Sequence, residues 1–115
     1  MTDESYPVNN LLSTAKSREV QRALLAEMRG ERSQAMLHFL AAAHMELVLA
    51  TDYASAGDND LALRSRLSAG SCFWRGGEYQ RANAEFESLL RELPDHACEI
   101  QKVIAELSQD YPLAS

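Results

Sequence analysis

Histidine, cysteine and carboxylate side chains are the first candidates for metal binding or catalysis in this chain. His38 and His44 lie six residues apart in one predicted helix, so they do not share a face as the histidines of an i, i+4 zinc site do. A denser stretch combines several ligand types: Asp95, His96, Cys98 and Glu99. Because a metal site needs side chains from more than one segment, we predict no metal centre here. Asp95 or His96 is instead expected to cap a helix.

The remaining reactive groups show none of the spacings that catalysis requires. Cys72 lies between Ser71 and Phe73 in a helical segment, where a small thiol is expected to serve packing. The sequence contains no glycine-rich phosphate loop, no G-x-S-x-G elbow and no H-E-x-x-H motif. We therefore predict that the protein is not an enzyme and uses no cofactor.

Basic residues concentrate in the first part of the chain and acidic residues in the last. The predicted first helix and the turn after it carry five cationic side chains: Lys16, Arg18, Arg22, Arg29 and Arg32. A helical-bundle regulator could use such a stripe to contact the phosphates of nucleic acid. Nucleic-acid binding through the first helix is therefore the alternative function that we consider for this protein. The whole chain, however, has 11 Lys and Arg against 17 Asp and Glu, a net charge of −6. This balance argues against nucleic acid and favours complementarity between protein surfaces.

The composition is typical of one folded, all-helical domain. The chain has 115 residues, of which 46% are hydrophobic and 24% charged, and these values exclude a disordered protein. Good helix formers fill the periodic segments, β-branched residues are few, and no hairpin turn signal separates alternating runs. Two cysteines make no disulfide framework, and no stretch is typical of a signal peptide or a membrane span. We expect an all-α, cytoplasmic protein.

Glycine and proline positions divide the chain into five predicted helices. The first is predicted from about Asn9 or Asn10 to Arg29, and the second from after Ser33, or a little earlier, to about Ala56. The third covers Leu61 to Arg75 and the fourth Tyr79 to Leu93, and the fifth begins after an Asp95 or His96 cap and ends before Tyr111. Gly30, Gly57, Gly77 and Pro94 end the first four of them. Asn59 or Asp60 is expected to cap the third helix. Turns this short make consecutive helices antiparallel.

The second predicted helix is apolar on nearly its whole circumference. Phe39 and Leu47 fall on one side, whereas Leu37, Met45 and Val48 fall on nearly the opposite side. A helix of this kind is buried on more than one side. We predict that it is the central element and that Leu37, Met45 and Val48 form a homodimer seam. Cover of this strip by the first, third and fifth helices is an equally good alternative.

One stretch combines small, aromatic and turn residues at fixed spacing: Gly70, Phe73, Gly77, Tyr79, Ala82, Phe86, Leu89 and Pro94. This pattern resembles the tetratricopeptide repeat, in which two antiparallel helices pack through small residues and aromatic side chains. The resemblance covers one repeat, residues 63–96. It departs from the family at Arg66 and Ala69, where larger apolar side chains are usual, and Leu63 and Leu67 are expected to replace that packing.

Two weaker features extend the resemblance on either side. Upstream, Ala35, Phe39 and Ala42 repeat the small–aromatic–small spacing, although further from the repeat than in a regular array. Downstream, the apolar positions of the fifth helix are typical of a helix that closes the open end of a solenoid. The resemblance therefore implies one TPR-like domain over residues 9–111, with a long central helix and a C-terminal closing helix. Residues 1–8 are expected to form a flexible tail, and residues 112–115 a second tail.

The resemblance also implies a function, that of a non-catalytic scaffold that binds a peptide or helix of another protein, or a second copy of itself. In this family the first helix of each pair lines the binding groove, which implies these groove residues: Arg64, Leu67, Ser71, Trp74 and Arg75. Arg64 and Arg75 are three helical turns apart and so share a face. Because planar guanidinium groups suit carboxylates, we expect the groove to take an acidic or C-terminal peptide segment.

Overall fold

A computed structural model describes the backbone of residues 5–113 and the side chains from Asn10 to Leu113. In this range the chain forms five α-helices: α1 (Ser5–Met28), α2 (Arg32–Ser55), α3 (Asn59–Arg75), α4 (Tyr79–Glu92) and α5 (Ala97–Asp110). A single 3-10 turn, Pro94–His96, precedes α5. The predicted all-α class is confirmed.

Among the described helices, none combines the length and the apolar character needed to cross a membrane.

Three helices end at glycines in the left-handed region of backbone conformation, as the sequence predicts. Gly30, Gly57 and Gly77 have φ angles of 73°, 81° and 84°. At Gly77 the chain reverses, and the Glu78 amide donates a hydrogen bond of 2.8 Å to the carbonyl of Phe73. This bond pairs a carbonyl that the end of α3 would otherwise leave unpaired.

Two predicted boundaries are wrong in detail. The first helix begins at Ser5, so residues 5–8 belong to α1 and not to a tail, whereas residues 1–4 lie outside the described range. The cap of α3 is Asp58, whose carboxylate accepts a hydrogen bond from the Leu61 amide at 3.4 Å, and not Asn59 or Asp60. His96 occupies the predicted cap position of α5, but its side chain makes no capping bond.

The helix α3 occupies the middle of the core. It contacts α2, α4 and α5, whereas α2 contacts α1 and α3. Two sides of α2 are thus buried, one against α1 and one against α3, whereas α5 does not contact this helix. The outward side of α2 remains uncovered, with Leu37 62% and Val48 51% exposed.

The α3–α4 hairpin is joined by the residues of the repeat-like motif. Phe86 is fully buried, and its ring lies 2.7 Å from the point where a Cβ on Gly70 would be. Phe73, Ala82 and Leu89 are also buried. The helices therefore approach at a point where one has no side chain and the other has an aromatic ring, which is the close packing that the spacing predicts. Tyr79 begins α4, and Pro94 starts the turn that follows it.

Arg66, where the sequence departs from the repeat pattern, joins α3 to α4 by ion pairs. Its Nε donates to Glu85 at 2.7 Å, and its two Nη atoms donate to Glu92 at 3.0 Å each. Ala69 is fully buried, and Leu63 and Leu67 are also in the core. The charged side chain thus lies beside the apolar contact and replaces packing by a bidentate, charge-assisted bond.

Candidate functional site

The most distinctive charged group of the described structure is the guanidinium of Arg75, in the last turn of α3. It lies between two aromatic rings, with its Cζ 5.5 Å from the centroid of Phe39 and 5.1 Å from that of Tyr111. Its Nε is buried and has no hydrogen-bond partner among the described residues, and Arg75 forms no salt bridge with any of them. Cation–π contacts fix the orientation of this cation. The carboxylates of Glu27 and Asp110 line the same cavity as Arg75, but neither forms a salt bridge with it.

Arg75 lines a cavity of about 390 Å³ that we call the Arg75 cavity. Its walls include Trp74, Tyr79, Arg32 and Glu27. The Trp74 and Tyr79 rings meet edge to face, with centroids 5.1 Å apart. A cavity of this size accepts a few side chains of a ligand, and it offers an aromatic wall beside a fixed cation.

The C-terminal end of α5 closes one side of this cavity through Tyr111. The carbonyl of Tyr111 accepts a 2.8 Å hydrogen bond from the Trp74 indole, and its hydroxyl donates to Glu27 at 3.3 Å. Burial raises the pKa of the Tyr111 hydroxyl, so this group stays a donor at neutral pH. These contacts tie α1, α3 and α5 together around the cavity.

The five predicted groove residues do not line one groove. Trp74 and Arg75 line the Arg75 cavity, whereas Arg64 lines a separate cavity near α1. Leu67 is buried in the core, and the Ser71 hydroxyl donates a hydrogen bond of 3.0 Å to the carbonyl of Leu67. The helical spacing correctly places the two arginines on one side of α3, but α1 and the end of α5 lie against different parts of that side.

Sequence reasoning did not identify Glu27, Arg32 or Tyr111 as cavity residues. These residues come from α1, from the start of α2 and from the residue after α5. No local spacing links such distant positions. Phe39 was singled out only for packing, and its ring also carries the guanidinium of Arg75.

The second cavity, of about 180 Å³, is built around Glu46 of α2 and includes Arg64. Glu46 is 4% exposed, and its carboxylate lies 3.6 Å from the Lys16 ammonium of α1. Burial raises the pKa of Glu46, while Lys16 and hydrogen bonds from Ser65 and Ser68 oppose that increase. This cluster connects α1, α2 and α3, and its acid and base are already paired.

We expect Glu46 to make stability depend on pH. Because its folded-state pKa is raised above the ordinary value of 4.5, the folded protein binds a proton more readily than the unfolded chain does. The contribution of Glu46 to the free energy of unfolding therefore increases as pH falls from the raised pKa towards 4.5. Urea unfolding of wild type and Glu46→Gln across this range measures it. A wild-type-minus-variant difference that stays constant with pH would contradict this assignment, and the exposed Glu87→Gln is the matched control.

A third cavity, of about 660 Å³, lies between α2, α3 and α4 and is bordered by Arg66, Glu85 and Glu92. These three charged groups are engaged with one another, since the Arg66 guanidinium contacts both carboxylates. Hydrogen bonds from Arg66 and Ser88 lower the pKa of Glu92, as expected for a carboxylate in a formed ion pair. This arrangement joins two helices and engages Arg66, Glu85 and Glu92 with one another.

The histidines and cysteines do not form a reactive centre in the described part of the chain. Burial raises the pKa of the Cys72 thiol to about 11, so the nucleophilic thiolate is disfavoured. The Nδ1 of His38 donates to the Glu19 carboxylate at 3.1 Å, and the His44 ring meets the edge of Phe73. Among the described residues, no three His, Cys, Asp or Glu side chains are placed to share a metal ion.

Comparison of the chain with protein-family models, with curated proteins and with solved structures gives no match. The resemblance to the tetratricopeptide repeat therefore stays a prediction that depends on the motif residues, and the function is inferred from the geometry of the site.

Proposed function

We propose that the protein is a non-catalytic, TPR-like scaffold that binds a peptide segment of another protein. The segment carries a carboxylate, from an acidic side chain or a C-terminus, next to an apolar residue. The carboxylate binds Arg75, and the apolar residue packs against Trp74 and Tyr79.

The observation that carries this proposal is the unpaired state of Arg75 within the described structure. Its Nε is buried without a hydrogen bond, and the rings of Phe39 and Tyr111 hold it in place. A buried donor without a partner costs free energy in the unliganded protein. A ligand carboxylate that contacts the part of the guanidinium facing the cavity gains a charge-assisted bond with this cation.

The packing of the α3–α4 hairpin supports the TPR-like part of the proposal. Small residues meet aromatic rings at the positions where the repeat has them, with Gly70 against Phe86 and Ala82 fully buried. The resemblance implies that the first helix of the pair contributes to the binding surface, and Arg75 and Trp74 belong to this helix.

The fluorescence of Trp74 tests the proposal directly, because it is the one tryptophan of the chain and lines the cavity. The probe is an acetylated apolar hexapeptide that ends in glutamate with a free C-terminal carboxylate. Its twin ends in glutamine amide and so lacks both carboxylates. We expect the first peptide to change the emission of Trp74 saturably and the twin to bind about tenfold more weakly or less.

A matched pair of arginine variants assigns the effect to one cavity. Arg75→Gln is expected to remove the preference for the carboxylate peptide, whereas Arg64→Gln, at the other cavity on the same helix, is expected to retain it. Equal affinity for the two peptides, or equal loss in both variants, would overturn the assignment. Circular dichroism checks that both variants keep the helical content of the wild type.

A further inference from the structure

Exposed apolar side chains are concentrated on the first two helices. In the described range, the large apolar residues with substantial exposure on helices belong to α1 and α2: Leu11, Leu24, Leu25, Met28, Leu37 and Val48. The helices α3, α4 and α5 have none, and the remaining example is Leu113, after α5. The outward side of α5 is instead polar, with Gln101, Lys102 and Glu106 exposed. The terminal units of a helical array need a polar outer face; the outward side of α5 has this character, whereas the outward side of α1 and α2 does not.

On α2 the exposed Leu37 and Val48 form one stripe with the half-buried Ala41. Leu37, Ala41 and Val48 are separated by four and seven residues, which places them on the same side of the helix. The direction on one side of the stripe is occupied by α1 through His38. His44 lies within the stripe, seven residues from Leu37, and its ring meets the edge of Phe73 of α3. Leu37 and Val48 are 62% and 51% exposed, so at both ends of the stripe this side of α2 is open, over about 16 Å of helix length.

On α1 a row of arginines runs beside this stripe. Glu19 contacts both His38 of α2 and Arg22 of α1, at 3.1 Å and 2.7 Å, so Arg22 lies at the level of Leu37. Arg18 and Arg29 lie on the same side of α1 as Arg22 by helical spacing. Neither forms a salt bridge with a described residue. The apolar stripe thus has a cationic border, although the protein as a whole has a net charge of −6.

We propose that this surface, the open hairpin face (Arg18, Arg22, Leu37, Ala41 and Val48), docks an acidic amphipathic helix of a different protein. The apolar stripe of that helix packs along α2, with Ala41 allowing close approach, and its carboxylates face the arginines of α1. In a two-fold contact the same patch is used by both copies, so a second copy would bring arginines and not carboxylates to the interface. The charge of this face therefore favours an acidic partner.

Two synthetic peptides test this proposal with the full chain. Both are labelled helical peptides of about four turns with Leu and Ala along one face; one has Glu beside that stripe and the other has Lys. We expect fluorescence anisotropy to show binding of the Glu peptide, weakened by salt, and at least about tenfold weaker binding of the Lys peptide. Equal binding of the two, or binding of neither, would overturn the proposal.

Matched variants locate the interaction and separate it from the other occupants. Leu37→Ser is expected to weaken binding of the Glu peptide about tenfold, and Arg18→Glu about fivefold. The matched controls are Leu113→Ser and Arg91→Glu, at exposed positions elsewhere, and they are expected to leave binding unchanged. Arg75→Gln should also leave it unchanged, which makes failure here distinguishable from failure at the Arg75 cavity. A wild-type dimer that Leu37→Ser converts to a monomer in sedimentation velocity would overturn the proposal in favour of self-association. Arg18-dependent retention on duplex DNA, with no binding of the Glu peptide, would overturn it in favour of nucleic acid.

Discussion

Replacing Phe86 by alanine is expected to lower the free energy of unfolding by about 3–5 kcal/mol. Phe86 is among the largest fully buried side chains, and its ring fills the space beside Gly70, where α3 has no side chain. Truncation leaves a cavity that the two helix backbones cannot close without moving. Since a domain of this size has about 5–15 kcal/mol of stability in total, the loss is a large fraction of it. Urea unfolding monitored by circular dichroism gives the value.

The neighbouring exposed position supplies the control for this experiment. Glu87→Ala lies one residue along α4 and is exposed, so its effect is expected to stay within about 0.5 kcal/mol. Gly70→Ala tests the contact from the other side, because its Cβ would lie 2.7 Å from the ring of Phe86 and a fully buried ring has little room to move. If Phe86→Ala cost no more than Glu87→Ala, the hairpin would not be joined in this way.

Replacing Phe39 by alanine is expected to cost about 3–5 kcal/mol as well, and to disturb the candidate site at the same time. Phe39 has no exposed surface and is the largest buried residue of α2. One face of its ring lies under the guanidinium of Arg75, 5.5 Å from centroid to Cζ. The substitution therefore removes core packing and the support of the ligand-binding cation together.

A gentler substitution separates these two consequences. Phe39→Leu keeps an apolar side chain in the core and is expected to cost about 1–2 kcal/mol, but it removes the ring from beneath Arg75. We expect the Trp74 fluorescence titration to show weaker binding of the carboxylate peptide in a variant that unfolds cooperatively. Unchanged affinity in Phe39→Leu would mean that Arg75 does not need this ring for its position.

The helix ends could be predicted from the sequence because glycine and proline act locally. Gly77 ends α3 through its own backbone conformation, whatever surrounds it, and the hairpin motif around it depends on residues close in sequence. The start of α1 could not be predicted in the same way. Pro7 lies in the first turn of α1, where its missing N–H is not needed, so it does not break the helix as it would further along.

The candidate site was predictable only in part, because it depends on contacts between distant segments. Helical spacing identifies Arg75 and Trp74, but it treats α3 as an isolated helix. In the folded chain Tyr111, at the far end of the sequence, lies over Arg75, while Arg64 lies beside the Glu46–Lys16 pair. Nothing in the local pattern shows that two arginines of one helix side end in separate cavities.

The role of Arg66 also could not be predicted from its own helix alone. At this position an arginine appears as a defect in an apolar pattern. The structure pairs it with Glu85 and Glu92 of α4, two carboxylates seven residues apart on that helix. Such a pair falls on one side of a helix, so the spacing of acidic residues on the following helix is the signal that would have identified the ion pairs.

The most direct test of the proposed function is a two-dimensional NMR titration of the ¹⁵N-labelled protein with the glutamate-ending hexapeptide. The account predicts that the Trp74 indole resonance and the backbone amides of Arg75 and Tyr111 shift together and saturate at one affinity. The amides of Leu37 and Val48, on the open hairpin face, should stay unchanged. Shifts confined to the surroundings of Arg64 and Lys16, or no saturable shifts at all, would contradict the assignment of the Arg75 cavity as a peptide-binding site.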